Sequence, residues 1–135
     1  MSGAEQALEG AILAALGAHA GVTAVLGDPL RVLDVASPQP AHPYLEIFRH
    51  QSQPSGSAGC NGSAHTVDMA VVSRDEGGAL ARETMAQVRE VLRDSELVID
   101  GWRCTLLLPV FGDTMRQAIG RWRSVLRVKA VIEQI

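Results

Sequence analysis

In two segments, residues 4–16 and 79–93, apolar residues recur at spacings of three and four, which is the repeat of a helix with one apolar face. The first stripe predicts a helix from about Ala4 to Leu16, and it consists of Leu8, Ala11, Ile12, Ala15 and Leu16. The second predicts a helix from about Ala79 to Arg93, and it consists of Leu80, Thr84, Val88, Val91 and Leu92. A further short turn is predicted around Val22–Leu26.

Other segments alternate apolar and polar residues, which is typical of half-buried strands. The predicted strands are Leu30–Val35, Tyr44–His50, His65–Ser73, Trp102–Phe111 and Arg121–Ile132. In the fourth strand the alternation puts Cys104, Leu106, Leu108 and Val110 on one face, and Pro109 places that strand at a sheet edge or a bulge. Strands joined in pairs, without a βα rhythm, predict an α+β fold. We expect one domain over residues 1–135, an antiparallel sheet of about five strands with two main helices on one face.

Two connections stand out in this pattern. Residues 51–63 are polar or small and contain Gly56, Gly59 and Gly62, so the sequence predicts a long flexible loop between two strands. Such a length without apolar anchors is typical of a functional or a disordered segment. Residues 112–120 are predicted to form the loop of a second hairpin.

The formal net charge of −3 argues against a dedicated nucleic-acid binder, which would carry an excess of Lys and Arg. The start of the chain lacks a basic region before its first apolar run, so no signal peptide is expected. No apolar run reaches the length of a membrane span. We therefore expect the protein to be cytoplasmic when it is made and to have no membrane partner.

Candidate chemistry is sparse. Cys60 and His65 are not spaced like zinc ligands, and the glycines around Cys60 lack the Lys and the following helix of a phosphate-binding loop. No Ser lies in a nucleophile elbow and no two carboxylates form an obvious acid–base pair. We predict no catalytic, cofactor or metal site, and hence no enzyme.

One charged feature has a defined geometry. The residues Arg121, Arg123, Arg127 and Lys129 share one face of the last strand because side chains alternate along a strand. They could pair across strands with Asp68 or Glu46, or they could meet acidic groups of a neighbouring subunit. Contact with DNA is the weakest of the three interpretations, given the acidic total.

Several segments together resemble a known family. They are Pro43–Ile47, Gly59–Gly62, His65–Arg74, the helix end at Val91–Leu92, and Arg123–Val131. The set is similar to the DUF3168 family of tail-completion or tail-terminator proteins of tailed phages, prophages and gene transfer agents. The resemblance implies a subunit of a ring, commonly a hexamer, that caps the tail tube and meets the head–tail connector. DNA would pass through the ring without specific binding.

The resemblance and the polar loop together give a candidate assembly interface. It comprises Gln51, Ser55, Gly56, Gly59, Cys60, Asn61, Arg121, Arg123, Arg127 and Lys129. The implied partners are further copies of the chain, the tail tube protein and the head-side connector, in a particle assembled in the cytoplasm. The alternative is a small cellular module that binds a ligand or protein, with residues 51–63 as its flap.

Overall fold

The computed structural model describes residues 3–34, 38, 40–55, 61–94 and 96–135. These contain three helices and four strands, which in chain order are α1 (Ala4–Gly17), α2 (Ala20–Leu26), β1 (Tyr44–Pro54), β2 (Gly62–Ser73), α3 (Ala79–Asp94), β3 (Trp102–Ala118) and β4 (Arg121–Gln134). The strands form one antiparallel sheet in the order β1-β2-β4-β3. The predicted α+β class is confirmed.

The helices pack on one face of the sheet and enclose the core there. Leu8, Ile12 and Leu16 of α1 are fully buried in the same apolar cluster as Met69 of β2 and Leu126 of β4. The predicted stripe of α1 is therefore confirmed, although Ala15 is only partly buried. In α3 the prediction holds for Thr84, Val88, Val91 and Leu92, while Leu80 is only partly buried and Ala81 and Met85 are buried in addition.

The predicted strand at residues 30–35 does not form among the described residues. Val32 makes a single parallel bridge with Leu45. The N–H of Leu45 donates to the carbonyl of Arg31, and its own carbonyl accepts from the N–H of Leu33. The side chain of Arg31 also donates to the carbonyl of Pro43. The segment is thus held by a few hydrogen bonds and does not form a strand. The sheet has four strands instead of about five.

The predicted loop at residues 51–63 was wrong at both ends. β1 continues to Pro54 and β2 begins at Gly62, and the two pair from Gln51 opposite Thr66 to Pro54 opposite Ser63. The side chains of β1 are exposed over this stretch, so no apolar alternation marks it as a strand. We call the paired segments 51–54 and 62–66, together with the connecting residues 55–61, the arm.

The predicted loop at residues 112–120 was also wrong, because β3 continues to Ala118 and the turn is confined to Ile119 and Gly120. Register shifts interrupt β3 between Cys104 and Leu106, between Pro109 and Phe111, and near its end. The first shift moves Leu106 and Leu108 to the opposite face from Cys104, so the predicted shared face was wrong for Cys104. The prediction that Pro109 lies in an edge strand or bulge is confirmed.

No single helix among the described residues has the length and apolar character of a membrane span. The pair α1 and α2 passes that test only when taken together, across a 94° bend.

Candidate functional site

The sheet face opposite the helices, here called the open face, carries the predicted basic residues. Strand pairing places Arg123, Arg127 and Lys129 of β4 on this face, with Arg121 at the start of the strand. The alternate positions of β4, from Ser124 to Ile132, are buried under the helices. The period-2 prediction for β4 is therefore confirmed.

Two of the arginines form ion pairs across the sheet. Nη1 of Arg123 donates to Oε1 of Glu46 at 2.9 Å, and both side chains are mostly buried, with exposed fractions of 17% and 23%. Nε and Nη2 of Arg127 donate to the two carboxylate oxygens of Asp68 at 2.9 and 3.4 Å. The interpretation as cross-strand ion pairs is confirmed for both residues.

The same two arginines lie over aromatic rings. The guanidinium carbon of Arg123 is 4.6 Å from the ring centre of Phe48, and that of Arg127 is 5.6 Å from the ring centre of Phe111. The hydrogen bond and negative charge of Asp68 raise the pKa of Arg127. Carboxylate and ring together fix each guanidinium in place, because both attract a cation from different directions.

The other two cations are less constrained. Nη2 of Arg121 lies 3.5 Å from the hydroxyl of Tyr44, at the limit of a hydrogen bond. Lys129 makes no hydrogen bond or ion pair with the described residues, and it borders a recess of about 310 Å³ that Gln51 and Thr66 also line. Lys129 is thus the member of the basic stripe most available to an outside acidic group.

An apolar row runs beside the basic stripe, on β3. Leu106 is paired with Val131, Leu108 with Lys129, and Phe111 with Arg127, so these side chains share the open face. Leu106, Leu108, Phe111 and Met115 each leave between 41% and 51% of their surface exposed. Sequence reasoning put Leu106 and Leu108 on one face but missed Phe111 and Met115, because it assigned the faces of β3 without the bulges and ended the strand at Phe111. Exposed apolar side chains along an edge strand are typical of a protein contact.

Backbone hydrogen bonds hold Ser55 and Asn61, the two ends of the connection in the arm. The amide of Ser55 donates to the carbonyl of Gly62, and the amide of Gln134 donates to the carbonyl of Asn61, so the arm is also joined to the end of β4. A Cβ on Gly62 would lie 2.1 Å from the carbonyl oxygen of Ser55, so only glycine fits there. The predicted interface residues Gly56, Gly59 and Cys60 lie outside the described residues.

The structure brings the predicted interface residues together in two groups. Gln51 lies at the recess beside Lys129, whereas Ser55 and Asn61 lie at the two ends of the connection in the arm. Within the described part of the chain, no three His, Cys, Asp or Glu side chains are placed to hold a metal ion. Cys104 is a free thiol, and burial raises its pKa, which disfavours the reactive thiolate.

Comparison with known proteins gives the family. A family model described as tail completion protein gp17 matches residues 10–133. The chain belongs to this family. Tail completion proteins are structural components of phage tails, so the chain is a structural tail protein and not an enzyme. The family supports the tail-protein expectation over the cellular binding module.

A solved structure extends the comparison to the fold of this tail completion protein. It is described as the virion of a native gene transfer agent particle, and one of its chains superimposes with a TM-score of 0.84. The match covers 98% of this chain and 99% of that chain, at 24% sequence identity. The likeness therefore establishes a shared fold over the whole length. No curated protein matches the chain.

Proposed function

We propose that the protein is a subunit of a ring, commonly a hexamer in this type of protein, that caps the tail tube and joins it to the head-side connector. The observation that carries the proposal is the exposed apolar row of β3 on a face without helices. A closed ring needs two different surfaces on each subunit that fit each other. β1 and β3 are opposite edges of the sheet, so one edge region of a copy can meet the other edge region of the next.

The charges of the open face support contact with protein more than contact with DNA. Arg123 and Arg127 are already neutralised by Glu46 and Asp68, so few free cations remain to hold phosphates. A channel that DNA must pass through functions best when its wall does not bind phosphate tightly. The net charge of −3 is in keeping with DNA passing the ring without specific binding.

The arm is the second candidate contact. Its side chains are all exposed from Gln51 to Ser55, while its β2 half is paired with both β1 and β4, so the arm is the outer end of the sheet at the β1 edge. It lies at the end of the sheet away from the β3–β4 turn, since Gly62 pairs with Glu133 near the end of β4. We assign it to the tail tube or the connector, in a phage-like particle such as a gene transfer agent, with assembly in the bacterial cytoplasm.

The apolar row is tested by replacing Leu106 and Leu108 together with threonine, which keeps the preference for strand and removes apolar surface. Each leucine is about half exposed, so burial of the pair against a neighbouring copy contributes about 2 kcal/mol to each contact. A matched control replaces Val98 and Ile119, which are 90% and 97% exposed and lie in connections, with threonine.

Each variant would be expressed in cells that otherwise make particles without this protein. Tails of normal length that are joined to heads would then be counted by electron microscopy. Circular dichroism would verify that the purified subunits remain folded. We expect the β3 variant to lose most completed tails and the control to retain them. A folded β3 variant that completes tails as well as the control would refute the proposed contact.

A further inference from the structure

A chain of short hydrogen bonds joins α1 to the base of the arm. Oε2 of Glu9 lies 2.7 Å from Nδ1 of His50, and Nε2 of His50 lies 2.7 Å from Nδ1 of His65. The chain ends at Ser63, whose Oγ lies 2.7 Å from Nε2 of His65. The His50 side chain is 6% exposed and His65 is 2% exposed, so the two imidazoles depend on each other and on these partners for hydrogen bonds.

The charged groups that face the two histidines come from α1. Glu9 is bonded directly to His50, and Glu5 lies nearby, where its Oε1 accepts a hydrogen bond from the hydroxyl of Ser52 at 2.6 Å. That hydrogen bond lowers the pKa of Glu5, and the nearby histidines lower it further. From β4, the residues paired at this level are the apolar Ala130 and Ile132. The local field is therefore set by two carboxylates.

The bonds fix the protons when both histidines are neutral. His50 must donate from Nδ1 to the carboxylate of Glu9, which leaves its Nε2 as an acceptor. His65 then donates from Nδ1 to that acceptor, and its own Nε2 accepts from the hydroxyl of Ser63. Every donor has an acceptor, and all three bonds point toward Glu9.

One added proton fits the same geometry. If the proton is held by His50, both of its nitrogens donate, one to Glu9 and one to Nδ1 of His65. His65 stays neutral but changes tautomer, so its Nε2 now donates to the oxygen of Ser63. Every bond is again satisfied, and the cation lies next to the carboxylate that favours it.

A second proton does not fit. With both imidazoles charged, an N–H of His50 would face an N–H of His65 at 2.7 Å, with no acceptor between them. From this geometry we infer that Glu9, His50, His65 and Ser63 form a largely buried site that binds one proton and links α1 to both strands of the arm. Uptake of a second proton breaks the bond between His50 and His65, so β2 loses its link to α1 while His50 of β1 stays bonded to Glu9.

The environment of His65 agrees with a site that binds one proton and resists a second. Burial lowers its pKa, the charge of His50 lowers it further, and Glu5 acts in the opposite direction. The second proton is therefore resisted by the same desolvation and repulsion that the geometry implies. The site makes the attachment of the arm sensitive to acid while leaving it intact through the first protonation.

The experiment is an NMR titration of the imidazole nitrogens in ¹⁵N-labelled protein from about pH 8 to about pH 5. At the upper limit we expect His65 with its proton on Nδ1. After the first proton we expect the proton of His65 on Nε2. Faster amide exchange in residues 50–54 and 62–66 should accompany only the second proton. Independent one-step titrations of the two histidines, or no change of tautomer, would overturn the inference.

Two variants separate the site from ordinary histidine titration. Glu9→Gln keeps an acceptor for His50 but removes the negative charge next to the added proton, so the first proton should be taken up only at a lower pH. His50→Gln can still bridge Glu9 and His65, and it should abolish the change of tautomer in His65. His19→Gln is the control, because His19 caps α2 and lies outside the chain of bonds. An unshifted first protonation in Glu9→Gln would also contradict the proposed site.

Discussion

The pair Arg123–Glu46 allows a quantitative test of how the open face is organised. At 2.9 Å the Coulomb attraction is about 1.4 kcal/mol in water and about 6 kcal/mol at an effective dielectric constant of 20. Desolvation cancels much of the larger value, because both side chains are mostly buried. Exposed ion pairs contribute about 0.2–1 kcal/mol to stability, and the exposure of this pair lies between that of such surface pairs and that of a fully buried pair. We take about 1 kcal/mol as its net contribution.

The ring of Phe48 adds to the cost of losing the arginine. A cation over an aromatic face at 4.6 Å contributes about 0.5–1 kcal/mol. Arg123→Met, which keeps the aliphatic stem, should therefore reduce the free energy of unfolding by about 2 kcal/mol. Glu46→Gln keeps an acceptor and the contact with the ring, so it should cost about 1 kcal/mol. In a double-mutant cycle the coupling energy should be about 1 kcal/mol.

Urea denaturation of the purified subunit measures all three variants, and the denaturation midpoint of Arg123→Met should fall by about 1 M. A coupling energy near zero, with an unshifted midpoint for Arg123→Met, would refute the view that this ion pair orders the open face. The result bears on function, because an arginine held internally has less capacity to bind a neighbouring subunit.

Exchanging the two charges distinguishes the two roles of Arg123. The double variant Glu46→Arg with Arg123→Glu restores an ion pair within the subunit but reverses its polarity, and the net charge is unchanged. If the pair serves only to order the face, this variant should stay folded and complete tails. A folded double variant that fails to complete tails would show instead that Arg123 contacts an acidic group on another subunit.

Two further predictions concern the arm and the response to pH. Gly62→Val should free the amide of Ser55 for hydrogen exchange and reduce the number of completed tails. The control is Gly10→Ala, which has open space in α1 and should stabilise the protein by up to about 1 kcal/mol. Retained protection of the Ser55 amide in Gly62→Val would contradict this prediction. Burial, with help from Arg74 and Arg121, lowers the pKa of His42 from 6.5, so the unfolded chain binds protons that the folded chain does not. The free energy of unfolding should therefore fall as the pH drops below about 6.5, and His42→Gln should reduce that fall in urea denaturation at about pH 7.5 and about pH 5.5; an equal fall in the variant would count against it.

The elements that sequence reasoning predicted are those in which burial leaves a visible period. α1 places Leu8, Ile12 and Leu16 against the core, and β4 alternates buried residues with charged ones over most of its length. The partners of the basic stripe, Glu46 and Asp68, were also foreseeable, because opposite charges on neighbouring strands tend to pair.

The features that were not predicted depend on strand pairing rather than on local pattern. The strand at Gln51–Pro54 is polar on every side, so only its pairing with β2 shows that it is a strand. Apart from the one next to Pro109, the bulges of β3 leave no mark in the order of its residues, and the misplaced faces there hid Phe111 and Met115. His50 and His65 come together only because the register of β1 on β2 brings them to the same face.

The bulges that obstructed prediction also bear on how copies of this protein would associate. A long, regular edge strand with exposed apolar side chains can extend a sheet from one molecule to the next without limit. β3 is interrupted at three places, and Pro109 lacks the N–H that a pairing strand would need. Its edge is thus a poor template for continuous backbone pairing, while its side chains remain exposed on the open face. Contact through side chains fixes one relative orientation of two copies, which a ring that closes and stops requires and an open-ended sheet does not.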